Sequence, residues 1–385
     1  MRLVRVAVNA EQLLYRSPGG IGRYTAQLLT VLPALFPADV VLPFTARHPR
    51  RAVADALAAA GVAPEVAARA TVLGLPRPLL YDGWVGIGWP RLPPLGEAEV
   101  VHAPSVAVPP RGRVPLVVTV HDAAPALFPE AFPPRGRRFH HRGLVAAARR
   151  ADAVITVSHA AADEIAAHSA IAPDRIRVVP NGVDPPVVDP HRQRSVLGDL
   201  GLLDQRYVLW IGSLEPRKGV GTLVAAMGRL ARRGRGEQPL LVLAGFPGWR
   251  NDSVVDRADV DALGDRLRHV GTVDEETLWA LLGGATVFAF PSRHEGFGLP
   301  VLEAMSQGVA VVASDIPALR ELAGGAARLV PATDVDAWAD AVHELLDDDG
   351  RRRQLGEAGL ARSHAFGVEH MARGVHAVYE EVTGA

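Results

Sequence analysis

Val287-Phe288-Ala289-Phe290-Pro291-Ser292-Arg293-His294-Glu295-Gly296-Phe297-Gly298-Leu299-Pro300-Val301-Leu302-Glu303-Ala304 holds a short apolar run, a glycine-rich loop and the start of a helix in one line. Four consecutive apolar residues closed by a proline read as a strand buried on both faces. Pro300 suits the first helical position, where a missing N–H is harmless. The loop glycines let backbone amides approach a ligand, and with the helix N-terminus they form an anion site. Glu295 falls on the loop and Glu303 in the first helical turn. Carboxylates accept hydrogen bonds from paired hydroxyls, so one acid can hold a sugar ring and the other a ribose. The structural alternatives are an ordinary loop acid and a first-turn acid that favours the helix dipole.

The same strand–loop–helix pattern recurs on either side. Tyr207–Ile211, Leu240–Ala244, the short Arg268–Val270 and Val309–Ala313 join Val287–Phe290 in one doubly wound unit. Upstream, Leu3–Val8, Val40–Phe44, Val100–His102, Leu116–Val120 and Ala153–Val157 form another, with a helix expected from about Arg23. Asn181-Gly182-Val183-Asp184-Pro185-Pro186, with Asp189-Pro190 beyond it, breaks helix and strand alike. The expected architecture is α/β: a Rossmann-like domain over residues 1–188, a second over 189–366, and a C-terminal segment, 367–385, whose helix returns to the first domain. Open parallel sheets bind ligands beyond the carboxyl ends of their strands, so two such domains face to face make one cleft.

Composition agrees with two domains and narrows their partners. The chain has 385 residues, 48% of them hydrophobic, enough for two cores. A formal charge of −1 gives no bulk argument for nucleic acid. The sign is uneven, however: residues 1–185 hold 20 basic against 14 acidic side chains, and residues 186–385 hold 21 against 28. A basic front half suits an anionic acceptor or a peripheral membrane contact; solvated arginine is the plainer alternative. With no cysteine, disulfides and Cys-zinc sites are excluded. The N-terminal apolar run is too short for a signal peptide, and no stretch of about 18 apolar residues spans a membrane. The expected location is the cytoplasm.

Of 41 basic residues only Lys218 is a lysine. It lies in Trp210-Ile211-Gly212-Ser213-Leu214-Glu215-Pro216-Arg217-Lys218-Gly219, where a buried strand ends at Gly212 and a helix begins near Val220. A diphosphate needs charge compensation and fixed geometry. Arginine supplies a planar fork and lysine a compact charge. Ser17-Pro18-Gly19-Gly20-Ile21-Gly22 follows the first strand as a glycine turn; it lacks the spacing and the acid of a dinucleotide fingerprint, so no NAD site is expected. His121-Asp122 follows Leu116–Val120, where a histidine can bond a sugar hydroxyl or stand as a structural ring. Asp259-Val260-Asp261 and Asp334-Val335-Asp336 have metal-like spacing but read as helix starts or exposed acidic turns. Arg135–Arg142 is a basic run suited to an acceptor phosphate, a membrane surface or a solvated helix face.

Together these motifs resemble retaining glycosyltransferase family 4, with its two-domain GT-B fold, along nearly the whole chain. Glu295 to Glu303 matches the family's Glu-x7-Glu signature, and Gly212 through Arg217-Lys218-Gly219 is the next most specific match. Gly19-Gly20-Ile21-Gly22, Val120-His121-Asp122, Val157-Ser158 and Pro180-Asn181-Gly182-Val183-Asp184 occur in the usual order. The resemblance implies catalytic roles for His121, Arg217, Lys218 and Glu295. Arg217 and Lys218 would bind the donor diphosphate, and Glu295 with the amides of Gly296, Phe297, Gly298 and Leu299 would hold the donor sugar. Glu303 would bind the ribose, the base would lie near Val270–Val273, Gly212 and Val273 would be among the donor-binding residues, Gly20 and Gly22 would approach the phosphates, and His121 would contact the sugar.

It further implies a nucleotide-sugar donor, transfer to a glycan, lipid-linked or small-molecule acceptor, front-face retention, and no metal or cofactor. The residues around Val208–Gly219 and His121 look most like bacterial GDP-mannose-dependent mannosyltransferases; UDP-glucose and UDP-N-acetylglucosamine users share every motif. A pyridoxal-phosphate phosphorylase would need its Schiff-base lysine elsewhere than the diphosphate loop. A silent sugar-nucleotide-binding subunit is the alternative from another class, which donor turnover distinguishes.

Overall fold

Alternation along the first strand shows how the sequence builds a sheet covered on both sides. Val4, Val6 and Val8 enter one buried cluster and Ala7 the other. The computed structural model describes residues 3–16, 18–234, 239–245 and 256–384. Met1, Arg2 and Ser17, which the sequence reading put at the chain's start and in the glycine turn, lie outside the described residues.

Seven parallel strands make the first sheet: β1 (Arg5–Asn9), β2 (Val40–Thr45), β3 (Thr71–Val72), β4 (Val100–Ala103), β5 (Leu116–Thr119), β6 (Ala153–Thr156) and β7 (Ile176–Val178). Their order is β3-β2-β1-β4-β5-β6-β7. Six more make the second: β8 (Tyr207–Ile211), β9 (Leu240–Ala244), β10 (Leu267–Gly271), β11 (Val287–Phe290), β12 (Val311–Ser314) and β13 (Arg328–Val330), ordered β10-β9-β8-β11-β12-β13 and again parallel. Two Rossmann-like sheets are therefore present, as the apolar runs predict. The sequence reading did not include β3, β7 and β13. All three are sheet edges of two or three residues, half exposed, and lack the continuous apolar run of an inner strand.

Seven helices carry the argument below: α1 (Gly19–Leu35), α2 (Arg77–Ile87), α3 (Pro134–Arg150), α4 (Val220–Arg233), α5 (Leu299–Ser306), α6 (Val335–Asp347) and α7 (Val368–Thr383). On one face of the first sheet, α1 and α7 supply Leu28, Leu32, Val375 and Tyr379; on the other, α2 and α3 supply Leu80, Trp84, Leu144 and Ala147. In the second sheet α4 and α6 bring Leu223, Met227, Trp338 and Val342 against β8 and β11. Burying a side chain of this size is worth about 1.5–3 kcal/mol.

Two compact units result: Met1–Gly182 with Gly367–Ala385, and Val183–Phe366. The chain changes unit at Gly182, earlier than the expected 188. A Cβ at Gly182 would lie 2.5 Å from the Cα of Val368, so the two crossing segments run side by side where only glycine fits. Within unit 1, α7 is held by polar contacts as well as apolar ones. His376 stacks on Phe36 at 3.8 Å and pairs with Asp39 at 2.8 Å, and Arg177 pairs with Glu381.

Candidate functional site in unit 2

Strand order reverses between β8 and β11, the switch point where a doubly wound sheet leaves a crevice. The two adjacent strands carry the two loops singled out in the sequence. After β8, Pro216–Lys218 forms a single 3-10 turn closed by Gly219 at φ 67°. A Cβ there would sit 1.9 Å from the carbonyl oxygen of Pro291, so only glycine allows this loop to touch the end of β11. The Arg293 amide then donates to the Arg217 carbonyl at 2.8 Å, stitching the loops together.

Arg217, Lys218 and Glu295 converge here. Lys218 Nζ donates to Glu295 Oε1 at 2.6 Å, and Ser292 Oγ donates to the same oxygen at 2.6 Å. Arg217 Nη1 lies 4.0 Å from Glu295 Oε2 and donates to the His294 carbonyl at 2.8 Å. The ammonium also sits 5.6 Å from the centre of the Phe290 ring. Burial opposes ionisation of Glu295, but Lys218 and Arg217, aided by the Ser292 hydroxyl, outweigh it and hold the carboxyl below its ordinary range. The charges are mostly sheltered, with side-chain exposures of 12% for Arg217, 15% for Lys218 and 10% for Glu295. Glu215 also lies 3.9 Å from Arg217 Nη2, so the two cations are balanced by two carboxylates, an arrangement in which a diphosphate can take the place of the acids. Ser292 and Phe290 were quoted in the sequence without a role; the signal for Ser292 was its place three residues before Glu295.

Beyond Glu295 the loop is buried through Gly296, Phe297 and Gly298. Phe297 packs edge-on against Phe366 at 5.8 Å. Gly298 takes φ 108° as the residue before α5, and a Cβ would meet Leu319 Cδ2 at 2.5 Å. α5 then begins at Leu299 with Pro300 second. Glu303 is its fifth residue, so it lies in the second turn and not the first: the left-handed Gly298 is the N-cap, and the helix starts at Leu299, one residue before the expected Pro300. Glu303 is 3% exposed.

On the other side of β8, Gly212 donates to the Ala244 carbonyl at 3.0 Å, and Gly245 donates to the Gly271 carbonyl at 2.7 Å. A Cβ on Gly245 would lie 1.6 Å from the Gly212 oxygen. The ends of β8, β9 and β10 thus meet backbone to backbone, with His269 Nε2 donating to the Gly245 carbonyl at 3.3 Å, and lead to the half-buried Val273 just past β10. Gly245 was passed over in the sequence, although a glycine closing a buried strand was a visible signal.

In unit 1, Gly20 and Gly22 do not form a turn ahead of a helix: α1 begins at Gly19 and both lie in its first turn. Pro18 can start the helix without an N–H, which explains why it runs back past Arg23. A Cβ on Gly22 would lie 2.2 Å from Pro18 Cβ. His121 Nε2 donates to the Pro104 carbonyl at 3.0 Å, and its ring stands edge-on to Tyr24 at 5.2 Å. Burial lowers its pKa, against the opposing pull of that carbonyl and of Asp122. The ring is therefore neutral near pH 7, and donation from Nε2 leaves Nδ1 an acceptor. Behind it, Tyr24 bonds Thr119 at 3.0 Å, Thr119 bonds His102 Nε2 at 2.8 Å, and His102 Nδ1 bonds Tyr379 at 2.6 Å. Burial, with a smaller effect of His121, pushes His102 down to about 3. None of this network beyond His121 was read from the sequence.

Both Asp-x-Asp pairs open helices, as expected. Asp259 is in the first turn of Arg257–Leu263 and pairs with Arg232 at 3.1 Å. Asp334 caps α6, and Asp336 pairs with Arg229.

Residues 18–186 match the family Glycosyltransferase Family 4, and residues 199–362 match Glycosyl transferases group 1. The chain is 33% identical over 273 residues to the O-antigen chain mannosyltransferase B of Escherichia coli, covering 70% of this chain and 71% of that protein. It is 34% identical over 290 residues to the alpha-maltose-1-phosphate synthase of Mycolicibacterium smegmatis, covering 70% and 74%. Among solved structures it resembles Anabaena HepE in complex with UDP and glucose, with a TM-score of 0.74 at 18% identity over 98% of this chain and 100% of that one.

Proposed function

Because the chain belongs to glycosyltransferase family 4, we propose that it transfers mannose from GDP-mannose to an acceptor hydroxyl with retention and without a metal. The observation that carries the donor site is the buried Lys218–Glu295 pair at 2.6 Å with Arg217 beside it. In the free protein Glu295 occupies the cations. A donor diphosphate takes over Lys218 and Arg217, and the released carboxylate accepts from the sugar hydroxyls. As the sugar–phosphate bond breaks, negative charge grows on the leaving phosphate, where two fixed cations and the amides before α5 stabilise it. The leaving phosphate then accepts the proton of the acceptor hydroxyl, which attacks on the same face. His121, neutral and with Nδ1 left as an acceptor, is the contribution we assign to unit 1.

The backbone of Gly212, Gly245 and Gly271, which meets across the strand ends, is the surface we assign to the base, and Glu303 is the residue we assign to the ribose. The choice of mannose rests on the mannosyltransferase named above; UDP-glucose is the competing donor, since its users share the motifs of both loops. Calorimetry with GDP-mannose and UDP-glucose, each with and without EDTA, tests the reading. Tight GDP-mannose binding that EDTA leaves intact and Lys218→Ala abolishes is expected. Binding that requires magnesium, or that persists in Lys218→Ala, defeats the assigned site.

A further inference from the structure

Among the described residues Ser292 carries the only hydroxyl hydrogen-bonded to Glu295, and its place is fixed from both sides. It follows Pro291 at the end of β11 and is fully buried. Both of its neighbours are pinned to the Arg217-Lys218 loop. The Pro291 carbonyl lies against Gly219, where a Cβ would come within 1.9 Å, and the Arg293 amide donates to the Arg217 carbonyl at 2.8 Å. A side chain on a backbone held at both ends keeps its geometry while a ligand comes and goes.

The hydroxyl has one hydrogen and three acceptors within reach: Glu295 Oε1 at 2.6 Å, the His294 carbonyl at 3.1 Å and the Arg217 carbonyl at 3.4 Å. The first has the length of a charge-assisted bond, and the other two are longer than an ordinary O–H···O contact. The hydrogen therefore goes to the carboxylate. A purely local turn, closed by donation to the His294 carbonyl two residues on, is the weaker use of it. Lys218 Nζ reaches the same carboxylate oxygen, also at 2.6 Å, whereas Oε2 faces Arg217 at 4.0 Å. The two oxygens of Glu295 are thus unequal: one is gripped twice, the other is open to a new donor.

We propose that Ser292 is a positioning residue for the transferred sugar: it keeps hold of Glu295 Oε1 when a donor diphosphate draws Lys218 away, so that Oε2 stays presented to the sugar hydroxyls. The inference rests on the donor reading above. One ammonium cannot serve a phosphate and a carboxylate at full strength together. A buried carboxylate left without donors takes up a proton or turns toward water. Ser292, uncharged and buried behind the acid, stays with it.

Calorimetry on the intact protein tests this with GDP, GDP-mannose, UDP and UDP-glucose as probes. Ser292→Ala should bind the free nucleoside diphosphate within about threefold of wild type, yet lose about ten- to a hundredfold in affinity for the sugar nucleotide, the effect of one hydrogen bond to a charged group. Ser292→Cys fills nearly the same space with a weak donor, so it should melt like wild type and lose a similar factor. In a Glu295→Gln background, removing the hydroxyl should weaken binding by less than about threefold more, because its charged partner is already gone. Burial raises the Glu295 carboxyl, and Lys218, Arg217 and Ser292 hold it down. Sugar-nucleotide affinity should therefore begin its fall on the acid side at a higher pH in Ser292→Ala than in wild type.

Wild-type affinity in either Ser292 variant, equal losses for diphosphate and sugar nucleotide, full additivity with Glu295→Gln, or an unmoved acid limb would each overturn the inference. Those outcomes leave the donor reading standing. Wild-type affinity of Lys218→Ala for both diphosphates would overturn the two together.

Discussion

The strand ends of the two units use opposite electrostatics. In unit 2, Arg217, Lys218 and Glu295 are charged, sheltered and paired across two loops. In unit 1, His121, Tyr24, Thr119, His102 and Tyr379 form a neutral chain of hydrogen bonds and ring contacts. The difference follows from the task proposed for each. A diphosphate must be met by fixed charge, and fixed charge survives burial only when it is paired until the ligand arrives. A sugar hydroxyl needs an oriented neutral acceptor, and burial keeps a histidine in that state.

Removing Lys218 attacks the charged end. Lys218→Ala should lower kcat/KM for the donor by at least about 10²–10³, read in steady-state transfer assays at saturating acceptor, because it removes a cation that binds the diphosphate and meets the developing charge. Survival of the rate would mean that the pair is structural. Glu295→Gln keeps the shape and removes the charge. We expect a loss of about a hundredfold in kcat/KM, spread over both constants if Glu295 grips the sugar before and during transfer. A change in KM alone would sharpen its role to ground-state binding.

The neutral end is tested through stability. Tyr379→Phe deletes the hydroxyl that His102 Nδ1 contacts and should cost about 1–3 kcal/mol in urea unfolding, since a buried nitrogen is left without a partner. The pH dependence gives the finest comparison. His102 is lowered in the folded state to about 3, so the unfolded chain binds more protons below its ordinary pKa of about 6.5. Stability from this residue is complete above that value and falls by about 1.4 kcal/mol per pH unit as pH drops toward 3. Glu295 is also lowered, but as a carboxylate its contribution is lost only as the solution passes below the ordinary acid range. Acid should therefore weaken unit 1 before unit 2, and His102→Asn should flatten the slope of a denaturation series between these pH values. Equal acid sensitivity of wild type and variant would remove His102 from the account.

Much of this was legible in one dimension. Inner strands such as Tyr207–Ile211, Leu240–Ala244 and Val287–Phe290 were read with their observed limits, because a strand buried on both faces is apolar at every position. Arg217, Lys218 and Glu295 stood out by residue type and by their place after such strands. Of the four edge strands only β10 was read, as the short Arg268–Val270; β3, β7 and β13 were not, since they are two or three residues long and lack a continuous apolar run. The start of α1 at Gly19 and the shift of Glu303 into the second turn depended on backbone angles, at Pro18 and Gly298, that composition does not report.

Local patterns were enough for the order of strands and helices, the family and the charged residues of the donor loops, because each is a matter of neighbours a few positions apart. Pairing was not. Lys218 and Glu295 are separated by 77 residues and His102 and Tyr379 by 277, and no spacing rule reaches so far. Those contacts exist because parallel strands bring distant loop ends onto one sheet edge and because α7 returns to the first sheet. Burial there fixes which groups stay charged and which stay neutral.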